Sequence, residues 1–169
     1  MFLTDFILRK LEEHDRKAII MDRDNITEYL QRYYLLWPDS VKRERKDITF
    51  NVMLHRFMRS DDPVFHSHPW NWYKTIILKG GYYQHTPWGT KWFGPGRVNH
   101  VDCENYRHVH DDIKWPLVPA NLHWLEVPEP GATWTLFIRG KTTHGWGFVS
   151  DLRTGQLIPH QEYLDNSRR

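Results

Sequence analysis

Phe65-His66-Ser67-His68-Pro69-Trp70, followed by Ile76-Ile77-Leu78-Lys79-Gly80-Gly81, is the stretch on which the reading of this chain turns. Residues two apart on a β-strand project to the same side, so His66 and His68 can converge on one point inside a sheet or barrel. Convergent imidazoles are what a metal site of nitrogen ligands requires. Two strand histidines can equally pack or face water, and the spacing alone leaves these readings level. The paired glycines mark a sharp break after an apolar run.

Working outward, the pattern is one of short strands. Ala18–Met21, Tyr29–Trp37, Ile48–Met58, Val64–His68, Tyr73–Leu78 and Tyr82–His85 precede Lys91–Phe93, Arg97–Val101 and Arg107–His110. Leu122–Val127, Thr133–Arg139 and Gly145–Val149 follow, with Leu157–Leu164 as a last edge segment. Ile48–Met58 alternates, with Phe50, Val52, Leu54 and Arg56 on one side and Asn51, Met53, His55 and Phe57 on the other. Turns rich in Gly and Pro at this spacing predict an antiparallel sandwich or barrel. Before the strands, Phe2, Phe6, Ile7 and Leu11 recur at helical spacing. They predict an amphipathic helix over about residues 4–16, its apolar stripe facing the core. The expected organisation is a helical extension over 1–20 and one barrel over 21–169.

Composition narrows the function classes. A length of 169 residues suits one domain with a single sizeable core. Nine tryptophans among 15% aromatic residues assign much of the packing to flat side chains. A formal charge of +2 with dispersed Lys and Arg is weak for a nucleic-acid binder. The densest basic run, Lys42-Arg43-Glu44-Arg45-Lys46, is broken by Glu44 and reads as a solvated loop. Cys103 is the single cysteine, which excludes an internal disulfide and a thiolate cage. Met1–Leu8 holds Asp5 and is followed by Arg9-Lys10, unlike a secretory signal. No apolar run approaches the roughly 20 residues that span a bilayer, so no membrane partner and a cytoplasmic setting are expected.

The stretch from Phe65 to Gly80 resembles the first conserved motif of the cupin superfamily. Leu78 and Gly80 fall in its register, and Tyr73 stands where that motif usually has Glu. Asn121-Leu122-His123-Trp124-Leu125-Glu126 resembles the second motif, with Val118-Pro119-Ala120 in place of its usual Pro-x-Gly. The chain is also similar to small bacterial and phage cupins. That similarity runs through Leu54-His55-Arg56, Ser60-Asp61, Thr135-Leu136-Phe137-Ile138 and Trp146-Gly147-Phe148, covering about residues 54–148. The resemblance implies an all-β, single-domain cupin-type β-barrel (a double-stranded β-helix, or jelly roll) behind a short N-terminal α-helix.

The resemblance also implies a site. His66, His68 and His123 would be the metal ligands, and three neutral imidazoles leave a divalent ion its full charge and open positions. Without the usual Glu, the set resembles the iron site of thiol dioxygenases, which favours Fe2+; Zn2+, Ni2+ and Mn2+ also suit it. Tyr73 reads as an outer hydroxyl, a phenolate ligand or a packed aromatic. Asn71 is a candidate to hold a ligand imidazole. Arg56 and Arg139 lie in apolar strands, so each is either a clamp for an anionic substrate or one half of an internal salt bridge with Asp61, Glu126 or another acid. Tyr82, Tyr83, Trp124 and Trp134 are candidate pocket walls or core. His108-Val109-His110 before Asp111-Asp112 is a rival metal pair, read as an exposed strand end. Cys103, flanked by Asp102 and Glu104, is not expected to act as a nucleophile.

The functional expectation is a mononuclear non-haem metal enzyme, dioxygenase-like, acting on a small anionic molecule. An oxygen-independent isomerase, epimerase or hydrolase, or a non-catalytic ligand-binding barrel, stands beside it. A homodimer is compatible with the many aromatics.

Overall fold

The computed structural model describes residues 2–24, 26–38, 40–41, 48–110 and 115–167. The basic run over 42–46 and the acidic pair 111–112 lie outside them. The chain begins with helix α1 (Phe2–Glu13) and continues with β1 (Lys17–Met21), β2 (Glu28–Tyr34) and β3 (Asn51–Phe57). Then come β4 (Phe65–His66), β5 (Trp72–Lys79), β6 (Tyr82–Thr86), β7 (Gly89–Phe93) and β8 (Val98–Asp102). β9 (Tyr106–His108), β10 (Leu117–Pro119), β11 (Trp124–Glu126), β12 (Thr133–Arg139), β13 (Gly147–Val149), β14 (Ile158–Pro159) and helix α2 (His160–Ser167) complete it.

Six strands form the large antiparallel sheet in the order β1-β2-β3-β12-β5-β8. Smaller sheets, β11-β6-β7, β14-β13-β4 and β10-β9, complete the β-structure. One apolar cluster ties the large sheet to the β6–β7–β11 sheet through Leu30, Phe57, Ile77, Tyr82, Phe93 and Leu125. A second gathers Tyr34, Met53, Tyr73, Cys103 and Phe137. Val109, Val118, Leu122 and Val149 form a third. Gly80 makes the break between β5 and β6 with φ at 69°, a region that favours glycine. A Cβ there would stand 2.8 Å from Thr133 Oγ1 and 2.9 Å from the Ala132 carbonyl.

Several expectations need correction. Residues from Leu157 onward give only a two-residue strand before α2. Phe6 and Ile7 of α1 are exposed, so the helix does not turn its whole stripe to the core. β3 buries Asn51, Met53, His55 and Phe57 and turns Val52, Leu54 and Arg56 outward. The short β10 had no counterpart in the sequence reading. No helix among the described residues is long and apolar enough to cross a membrane.

Candidate metal centre

Two distant pieces of chain meet at a single antiparallel bridge between His66 and His123. The His66 N–H donates to the His123 carbonyl at 3.0 Å, and the His123 N–H donates to the His66 carbonyl at 3.1 Å. Ser67 is buried between the two histidines of β4 and its continuation. Its N–H donates to the Gly147 carbonyl at 3.0 Å, and its Oγ accepts the Gly147 N–H at 3.2 Å. With Ser67 pinned to β13, His66 and His68 turn toward His123. Ring centroids lie 5.2 Å apart for His66–His68, 4.8 Å for His66–His123 and 5.0 Å for His68–His123. One ring nitrogen of each falls within 4.8 Å of the others, the only group of three or more such donors among the described residues.

The chemistry of these donors fits a cation. Burial pushes His66 and His123 down to about 4, with His66 adding to the effect at His123. Burial also holds His68 well below the usual imidazole range, assisted by the neighbouring His123 and His66. All three are therefore neutral at physiological pH, the form that ligates. His123 Nδ1 stands 2.8 Å from the Asn121 carbonyl and carries the proton, which leaves the Nε2 lone pair for a ligand. The His68 carbonyl accepts from Asn121 Nδ2 at 3.3 Å and His144 Nε2 at 2.9 Å. Its ring stacks on Trp70 at 4.9 Å.

Tyr73 is buried, stacked on Phe137 at 5.6 Å and edge-on to His68 at 5.2 Å. Its hydroxyl lies 3.5 Å from His123 Nδ1, and burial raises its pKa well above the ordinary phenol. Tyr73 is thus a protonated phenol beside His123 as well as a packed aromatic. Asn71 instead accepts the Trp72 N–H at its own Oδ1, so the amide near the ligands is Asn121.

A cavity of about 300 Å³ opens beside His66, walled by Tyr29, Asp61, Trp146, Phe148 and Leu164. Asp61 accepts from the Tyr29 hydroxyl and from the Leu125 N–H at 2.7 Å, and burial raises its pKa. It therefore anchors the 59–63 loop to β11 while facing the cavity. Of the suggested pocket walls, Tyr82 is core, Tyr83 packs on Trp92, Trp124 on His85 and Trp134 on Tyr33.

Arg56 is not brought to the imidazoles. Its Nε donates to the Gly131 carbonyl at 2.9 Å and its guanidinium lies over Trp134 on the outer face. Neither acid suggested for it is its partner: Asp61 holds Tyr29, and Glu126 pairs with His85. Arg139 is buried opposite Tyr73 in the β12–β5 register and donates to the Gly140 carbonyl at 2.9 Å. His108 Nδ1 meets the Trp115 carbonyl at 2.6 Å and His110 stands edge-on to Trp115. Burial, then Asp102 and Glu104, push Cys103 up to about 11.

No family model matches the sequence, and no curated protein sequence matches it. Among solved structures the fold is similar to a sugar phosphate isomerase from a cupin superfamily of Silicibacter pomeroyi. That similarity has a TM-score of 0.50 and 12% identity, covering 80% of this chain and 75% of that one. The chain has a double-stranded β-helix fold. Similarity also extends to Streptomyces Pac13 with uridine, at TM-score 0.49, 9% identity, and coverage of 87% of this chain and 91% of that chain. A conserved protein with a double-stranded β-helix domain from Klebsiella pneumoniae aligns at TM-score 0.46 and 12% identity, over 79% of this chain and 99% of that one.

Proposed function

We propose that this chain is a mononuclear metal enzyme acting on a small anionic molecule, with His66, His68 and His123 holding a divalent ion. The observation that carries this reading is the convergence of three neutral imidazoles, their donors within 4.8 Å, beside a cavity. A bound ion held by three uncharged ligands would polarise a substrate oxygen or, as iron, support oxygen chemistry. Fe2+ and a dioxygenase-like reaction remain the finer reading, because Tyr73 offers a protonated phenol where an acidic ligand is usual. The surrounding residues have definable tasks. Asn121 fixes the His123 tautomer, Trp146 and Phe148 keep the His66 ring among apolar walls, and Tyr73 holds a proton beside His123.

Elemental analysis of protein expressed in unsupplemented medium tests this directly. About one equivalent of metal is expected in the wild type, falling by at least about tenfold in His66→Ala and His123→Ala. A wild-type protein that is metal-free and takes up neither iron nor zinc on titration overturns the proposal. Substrate-dependent oxygen uptake then separates the dioxygenase reading from an oxygen-independent isomerase or hydrolase.

A further inference from the structure

Between two of its apolar clusters the interior carries a belt of polar side chains. Arg32 of β2, His55 of β3 and Thr135 of β12 stand side by side across three adjacent strands, in direct register. Thr75 and Asn99, both buried, oppose each other across β5 and β8 in a neighbouring row, in line with Phe137. Arg32 Nε donates to His55 Nε2 at 3.1 Å, which uses one of its five N–H groups. The side chain is half-buried, and the described residues give its two terminal nitrogens no hydrogen-bond or ion-pair partner. Thr135 Oγ1, on a fully buried side chain, also has no partner among the described residues.

A guanidinium withdrawn from water without a counter-charge is costly, and its planar fork matches a carboxylate or a phosphoryl group. We propose that this belt is an anion subsite in which Arg32 receives the carboxylate or phosphoryl group of the substrate. It rests on the reading of the three imidazoles as the reaction centre and says where the charged end of the substrate sits. His55 stacks on Phe137 at 4.8 Å, Phe137 meets Trp70 at 5.3 Å, and Trp70 stacks on His68. The Arg32 charge also acts on Tyr29 at the cavity wall. The subsite places the clamp at half-buried Arg32 rather than at Arg56, whose guanidinium lies over Trp134.

Metal-free wild type, Arg32→Gln and His66→Ala are titrated with inorganic phosphate and, separately, with acetate by calorimetry. One anion is expected to bind the wild type and His66→Ala alike and to bind Arg32→Gln at least tenfold more weakly; which anion binds tells phosphoryl from carboxylate. Arg32→Gln is expected to keep its metal. Arg32-dependent anion binding in a protein that holds no metal would retain this subsite while removing the metal reading. Equal binding by wild type and Arg32→Gln, or none by the wild type, overturns the subsite. If Arg32→Gln does not fold, nitrogen-15 spectra of the wild type decide. The Arg32 Nε and His55 ring signals must move on saturation with the anion, and unchanged signals overturn the proposal.

Discussion

His123 has one nitrogen committed to the Asn121 carbonyl at 2.8 Å, and all three clustered imidazoles are held neutral chiefly by burial. This has a consequence for the metal-free protein. In the unfolded chain these rings titrate near 6.5, whereas folded His66 and His123 titrate near 4. Between those values the unfolded state binds protons that the folded state refuses, so stability falls as pH falls. The full contribution is present above about pH 6.5 and drains away as pH falls; the His66 and His123 share is spent by about pH 4, and the His68 share goes on falling below it. The thermal midpoint of metal-free protein, measured from pH 7 to pH 4, should drop across this window. His123→Gln should flatten part of that drop, and a level midpoint in both proteins would contradict the neutral-ring account. The clustering of the three imidazoles was legible in sequence because their spacing follows strand geometry and a family motif. Arg32, Asn121 and Asp61 were not. Each owes its place to a partner far along the chain, His55, His68 and Leu125 respectively, and local pattern carries no trace of those contacts.

At the scale of elements, β3 shows that alternation names two faces of a strand without saying which is buried. Its more apolar side, Val52 and Leu54 with Arg56, faces outward, while Asn51 and His55 share the buried side with Met53 and Phe57. With polar side chains on the buried side, hydropathy does not single out the inner face, and Arg32 drew no notice. α2 escaped for a different reason: with only the adjacent Tyr163 and Leu164 apolar its eight residues show no helical period, and they follow directly on a strand ending in Pro159. Yet α2 closes one side of the cavity. Tyr163 stacks on Phe148 at 4.1 Å and accepts from Arg23 Nη1 at 3.1 Å, and His160 stacks on Trp146 at 4.5 Å. Tyr163→Ala should therefore cost about 2 kcal/mol and lower the thermal midpoint by about 4–8 °C. It should also increase acrylamide quenching of the Trp146 fluorescence, measured against a Trp146→Phe control. Unaltered stability and quenching would mean that α2 rests on the barrel without sealing it.

Across the whole molecule, the fold class was readable from strand spacing and the Phe65–Gly80 motif, but the sheet order was not. β12 enters between β3 and β5, pairing with both, and only tertiary packing selects that insertion. Cys103 offers a probe of whether this sheet opens as one unit. It is 2% exposed, just past β8, and packs in the cluster formed by Tyr34, Met53, Tyr73 and Phe137 from β2, β3, β5 and β12. With a thiol pushed up to about 11, it is overwhelmingly protonated at pH 8, and labelling by a disulfide reagent requires exposure as well as ionisation. Native protein should label orders of magnitude more slowly than the unfolded chain. If the large sheet separates only in a global transition, the opening free energy from labelling should match that from denaturant unfolding. Labelling that is fast and independent of denaturant would show that β8 detaches from the edge of the sheet by itself. The wall beneath Tyr73 would then be a mobile element rather than part of the cooperative core.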